Sequence, residues 1–313
     1  MRLYKRRKSI MAFYLLGDCI REQRERLGVT QEELCEGICS VPTLSKIENG
    51  RQGMRLNQYI AIMERLGLPV QQVNVQVTEE ERKWYSLKTK VQYKTAHGEW
   101  DIKELISEME NCIKDKTKLE EQFILFNKAV LDMRAGRKAD EVLDMLNDAM
   151  KCTYQKFGVN KINKIKLFTT DEILIALNIA IVFDIQKDVL SSIKLGFFLK
   201  EYMENGRLEY DDIALVYPLI LFDLSNWVAK CNRFEEALEL CDTGIEYCNK
   251  HGKLNLYTEL IYNKSRCLFE LNRDGEAKKY LLYAYCISDM RNDTKMKDIM
   301  RKSIDELKIN III

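Results

Sequence analysis

From Leu221 onward the chain repeats itself at a shift of forty residues, and no other feature limits its fold as strongly. The segment "LFDLSNWVAKCNRFEEALELCDTGIEYC" aligns with "IYNKSRCLFELNRDGEAKKYLLYAYC", placing Asn232-Arg233 on Asn272-Arg273, Ala237 on Ala277 and Gly244 on Ala284. Two looser copies precede them, "LFNKAVLDMRAGRKADEVLDML" and "IALNIAIVFDIQKDVLSSIKL". All four carry a small residue at one position of their first helical stretch: Ala129, Ala180, Ser225 and Ser265. A small side chain there lets a paired helix approach closely, and units of this length bury their apolar faces only by stacking on neighbours. Three prolines in 313 residues and hardly any strand-like alternation make the expected fold class all-α.

This is the packing logic of tetratricopeptide (TPR) helix hairpins. It predicts a repeat domain over 79–308, a right-handed superhelical solenoid of about five degenerate TPR-like hairpins. The stretch "YKTAHGEWDIKELISEM" supplies the poorest unit, 293–307 a capping helix and 309–313 a tail. Copy spacings of forty to fifty-one residues exceed the usual ~34, so longer helices or joints must absorb the difference.

Residues 11–75 have a different texture, four or five short helices with tight joints. "LLGDCIREQRERLG" stops on Gly28, Thr30 caps the next helix with Glu33 closing a capping box, and Ser40 caps a third. Pro42 is tolerated there because a first turn needs no amide donor. A fourth helix ends at Gly67 and Pro69. Two short helices across a tight turn form a helix-turn-helix, whose second helix enters the major groove. With Leu44 and Ile47 turned to the core, Val41, Pro42, Thr43 and Lys46 face outward. Val41 and Pro42 suit thymine methyls, Thr43 a base edge or phosphate, and Lys46 guanine acceptors. Gln31 begins the supporting helix and can hold a phosphate; Arg51 and Arg55 are expected backbone contacts. The leader 1–10 carries five basic residues and no acid, which fits either a disordered tail or a basic arm along phosphates.

The string "VTQEEL…LSKIENGR" resembles the Xre, lambda-repressor-like helix-turn-helix family. The resemblance implies a structural ion pair between Arg24 and Glu48. The turn "GICSVPTLS" is one residue shorter than the common form and is similar to that of peptide-pheromone receptors. A bundle serving only docking or dimerisation is the competing reading.

In the repeats, Asn127, Asn178, Asp223 and Asn263 stand two positions before the four small residues. Amides recurring at one position would line a groove and match the backbone of an extended peptide. Arg134, Lys230 and Arg266 would lie near that face and take a carboxylate. Together the two halves resemble the RRNPP regulators of the PlcR, PrgX and Rgg types. That resemblance implies a cytoplasmic homodimer that binds a double-stranded DNA operator and senses a short signalling peptide in quorum sensing, without a cofactor. The alternative is a helix-turn-helix regulator whose repeats bind a protein partner or only dimerise. Two histidines on polar stretches, no Gly-rich phosphate loop and no metal-ligand spacing point away from an enzyme. Ten scattered cysteines without a C-x-x-C pair read as reduced thiols, and no apolar run reaches the length of a membrane span.

Overall fold

The computed structural model describes residues 16–70, 78–205, 215–252, 254 and 256–306; the leader 1–10 and the tail 309–313 lie outside them. Every regular element among the described residues is helical. The head comprises α1 (16–26), α2 (Gln31–Cys35), α3 (Val41–Glu48) and α4 (Leu56–Leu66). There follow α5 (Glu79–Ala96), α6 (Lys103–Cys112), α7 (Lys118–Arg134), α8 (Ala139–Thr153), a 3-10 turn (Val159–Lys164) and α9 (Thr170–Ile185). The rest is α10 (Val189–Glu204), α11 (Val216–Lys230), α12 (Phe234–His251), α13 (Tyr257–Glu270), α14 (Asp274–Met290) and α15 (Thr294–Glu306).

Local sequence sets these helix ends. Capping boxes start α2 (Thr30, Glu33), α5 (Thr78, Glu81) and α7 (Thr117, Glu120). Each satisfies two amides that a helix start leaves unpaired, a cap contributing about 1 kcal/mol. At the other end one turn recurs. A left-handed residue follows α7, α9, α11, α13 and α14, namely Gly136, Lys187, Asn232, Asn272 and Asn292. The next amide donates back to the carbonyl five residues earlier, as from Arg273 to Leu268 at 2.9 Å and from Asp188 to Phe183 at 2.8 Å. This 6→1 bond reverses the chain within three residues, so the following helix can fold back along its predecessor. Asparagine serves at three of the five because its short polar side chain tolerates the left-handed region.

The chain divides into two compact units, 1–182 and 183–313. In the first, the head core is built from Ile20, Leu34, Leu44, Ile47, Tyr59, Ile62 and Leu66, with Leu167 from the segment before α9 packed in. Each such aliphatic side chain contributes about 2 kcal/mol by leaving water. Gly17 is a close-approach site: a Cβ there would overlap the carbonyl oxygens of Ile47 and Glu48, so α1 lies directly on the last turn of α3. The hairpins α5/α6 and α7/α8 follow, with α5, α6 and α7 sharing a core of Trp84, Leu87, Val91, Ile106 and Phe123.

In the second unit α10 packs on α11, α11/α12 and α13/α14 form hairpins, and α15 lies on α14 around Leu281, Ala284, Met300 and Ile304. The small residues sit where helices close up. Ser225 and Ser265 are buried, the Ser265 hydroxyl donating to the Ala277 carbonyl at 2.9 Å, and a Cβ on Gly244 would stand 2.8 Å from the Leu260 side chain. Ala129 and Ala180 are likewise buried in the first unit. No helix among the described residues is long and apolar enough to cross a membrane.

Candidate nucleic-acid interface and repeat faces

The α3 helix is short because both its ends are closed. Ser40 accepts from the Thr43 amide at 3.3 Å, and the Ser40 and Thr43 hydroxyls bond at 2.8 Å. At the far end Asn49 caps with its side chain on the Ser45 carbonyl at 2.7 Å, and the Arg51 amide returns to Lys46 at 2.8 Å across left-handed Gly50. Leu44 and Ile47 are buried, whereas Val41 (38% exposed), Pro42 and Lys46 stand in solvent and Thr43 is half-buried. Arg51 and Arg55 are exposed just beyond.

Between Ser40 and Gln58 only Glu48 is acidic, and it is 2% exposed. Arg24 Nε donates to its Oε1 at 2.7 Å and Arg24 Nη2 to its Oε2 at 3.1 Å, while Gln31 Nε2 donates to Oε2 at 2.7 Å. The carboxylate holds the Arg24 guanidinium above its ordinary basicity, mainly through that hydrogen bond. The Gln31 side-chain amide is therefore engaged inside the head. With the one acid consumed internally, the exposed charges on α3 and its flank are Lys46, Arg51 and Arg55, all positive. A domain close to neutral overall thus presents a positive face.

The turn between α2 and α3 rests on the repeats of the first unit. Gly37 adopts φ +71, and a Cβ there would overlap the Cα and carbonyl oxygen of Thr153 at the end of α8. Beside it Arg65 of α4 is wholly buried, with Nη2 on Glu172 Oε1 at 2.9 Å and Nη1 on the Leu34 and Glu36 carbonyls at 3.1 and 2.6 Å. Its guanidinium lies 4.9 Å from the centre of the Tyr154 ring. A second polar seam joins Asn57 Nδ2 to Thr117 Oγ1 (2.9 Å) and Glu120 Oε1 (3.0 Å), Glu64 Oε2 to the Thr170 amide (3.0 Å) and Lys88 to Asp171 (2.7 Å). Sequence reading had not singled out these residues; a buried arginine and a glutamate on another helix carry no local signature.

The repeat asparagines occupy differing environments. Asn127, 5% exposed, donates to the Phe123 carbonyl of its own helix at 2.8 Å, and half-buried Asn178 does the same to Leu174 at 2.8 Å. Asn263, 6% exposed, donates to Ser225 Oγ at 3.2 Å. Asp223 is half-buried, and its Oδ2 is shut from solvent with no hydrogen-bond partner. Burial, with Asp184 beside it, pushes Asp223 up to about 7. Lys230 is paired with Asp184 at 2.6 and 2.7 Å, Arg134 stacks 4.0 Å over Trp100, and Arg266 is exposed.

The family described as "Helix-turn-helix domain" matches residues 15–75. No curated protein matches the sequence. Among solved structures, PlcR of Bacillus thuringiensis in complex with the peptide PapR7 and DNA superposes with a TM-score of 0.59 at 18% identity, over 91% of this chain and 98% of that one. Apo PlcR from the same organism gives 0.57 at 16% identity, over 93% and 99%. The apo form of RapI gives 0.51 at 11% identity, over 71% and 76%. The chain is therefore a helix-turn-helix domain followed by TPR-like repeats, and over nine-tenths of its length it has the fold of PlcR.

Proposed function

We propose that this chain is a cytoplasmic transcriptional regulator, not an enzyme. Residues 11–75 bind a double-stranded DNA operator, and the repeats over 79–308 hold a homodimer and sense a short signalling peptide. The observation that carries the DNA half is the all-positive face formed by Lys46, Arg51 and Arg55 around a short helix whose only acid is buried. The peptide half is supported by the fold shared with PlcR, which was solved with a peptide and DNA bound. Asp223, carrying an unsatisfied carboxylate oxygen in the repeats, adds to it. Of the candidate peptide contacts, Asn178 and Asp223 are half-buried and Arg134, Lys230 and Arg266 are exposed, whereas Asn127 and Asn263 are buried. A peptide controls DNA binding by preferring one arrangement of the dimer, and DNA must prefer the same one or the other.

The test begins with duplexes enriched from a random-sequence pool by the purified chain. Lys46→Ala should erode preference for the enriched duplex, and Arg51→Ala should weaken binding to all duplexes alike. Candidate peptides, titrated with and without that duplex, should change its affinity, and Asp223→Asn should alter peptide affinity. No peptide that shifts duplex affinity, alongside intact DNA binding, leaves a DNA reader without a peptide sensor.

A further inference from the structure

The segment between α8 and α9 carries four lysines, Lys156, Lys161, Lys164 and Lys166, and no acid from Tyr154 to Leu167. Its ends are tied together by the Tyr154 hydroxyl, which donates to the Leu167 carbonyl. A 3-10 turn (Val159–Lys164) shapes the middle, and buried Ile162 and Leu167 anchor it. A loop closed at its base and anchored by buried apolar side chains is a compact Ω-type element. All four lysines are exposed on it and border a groove of about 280 Å³.

The groove's other wall is the head, through Glu33 and Glu36 of α2 and its turn. Lys166 Nζ lies 2.8 Å from Glu33 Oε1, and Glu33 is also the residue that closes the α2 capping box. In helix-turn-helix docking the helix ahead of the recognition helix crosses the phosphate backbone. Lys166, held against the first turn of α2, therefore stands on the side of the phosphodiester chain rather than the bases, and the other three lysines border the same groove. Two glutamates against four lysines leave the groove positive, with Lys156, Lys161 and Lys164 not drawn into a bridge with Glu33.

We infer that this lysine loop is a second DNA contact, supplied by the repeats, which grips backbone phosphates flanking the sequence read by α3. The inference rests on the DNA-binding reading of the head. Each phosphate neutralised steepens the dependence of log affinity on log salt by about 0.9. The loop thus adds affinity without sequence preference and lengthens the footprint on the duplex.

The experiment uses the full-length chain and two duplexes carrying the enriched sequence. One is trimmed to the footprint of the head, and one extends about 10 base pairs further on each side. Affinity is followed by fluorescence anisotropy between about 50 and 200 mM salt. Lys161→Ala/Lys164→Ala should make the salt slope shallower by about 2 on the long duplex, which shrinks the loss over that range about tenfold. It should leave the trimmed duplex unaffected, and Lys161→Arg/Lys164→Arg should restore the slope. Circular dichroism reports whether the variants fold, which surface lysines should permit. An unchanged slope on the long duplex, while Arg51→Ala weakens binding to both, overturns the loop contact and keeps the head. Absence of salt-dependent binding by the unsubstituted chain overturns both.

Discussion

Replacing Arg65 by methionine tests the seam between the head and the repeats that follow it. Methionine keeps most of the apolar stem and removes the guanidinium. The Glu172 carboxylate, fully buried, then loses its cation at 2.9 Å, and the Leu34 and Glu36 carbonyls lose a shared donor. Removing one partner of a buried ion pair costs about 3–5 kcal/mol, because the other charge is left stranded. That is a large part of the roughly 5–15 kcal/mol by which a folded domain is stable. For a unit of this size each kcal/mol moves the midpoint by about 2–4 °C, so Tm should fall by roughly 6–20 °C. Urea and thermal unfolding followed by circular dichroism would measure it. The double variant Arg65→Met/Glu172→Met separates charge from packing, since neither charge then remains. It should recover at least half of the loss, short of about 1 kcal/mol for the bond that Glu172 Oε2 accepts from the Thr169 amide at 2.7 Å. A loss below about 1 kcal/mol for Arg65→Met, or a double variant as unstable as the two singles summed, refutes the reasoning.

Three further expectations concern other sites. Burial, with Asp171 next, pushes Glu64 up to about 7 from an ordinary 4.5, so the folded chain holds this proton more tightly than the unfolded one. Its contribution to stability is then fully present below about pH 4.5 and is lost as pH rises through 7; Glu64→Gln should remove on the order of 2 kcal/mol of the fall between pH 5 and 8 in urea titrations. Asp223 follows the same sign between an ordinary 3.8 and about 7, so Asp223→Asn should stabilise the protein above pH 7 and leave it unchanged near pH 4. Gly37→Ala meets both a left-handed backbone and the Thr153 main chain, and should cost upwards of about 2 kcal/mol by chemical denaturation.

The helix boundaries of the head were legible because their causes are local: Thr30 and Glu33 act on amides within a few residues, and the chain displays them in order. The turns at Asn232 and Asn272 are equally local, but their alignment marked only the repeat period and not the left-handed turn they make. The small residues were legible for a related reason: Ser225 and Ser265 align at the repeat period, and both are buried. What escaped reading depends on distant partners. Arg65 meets a glutamate 107 positions away, and nothing near either residue announces the other. Recurrence of asparagine at a repeat position could not say where its amide would point. In Asn127 and Asn178 it turns back to the carbonyl four residues earlier, a bond any helical asparagine can make. The lysine loop was not singled out in the sequence, because its place beside α2 is set by a contact with Glu33, far away along the chain.

Glu48 has one more implication. A single carboxylate at the end of α3 is gripped by side chains from α1 and α2, so three helices share one knot. The reading helix cannot tilt or slide alone without tearing that knot open. Under the proposed function, a signal that reaches this head carries it as a solid block, and what it controls is where each block stands, not how its reading edge is bent.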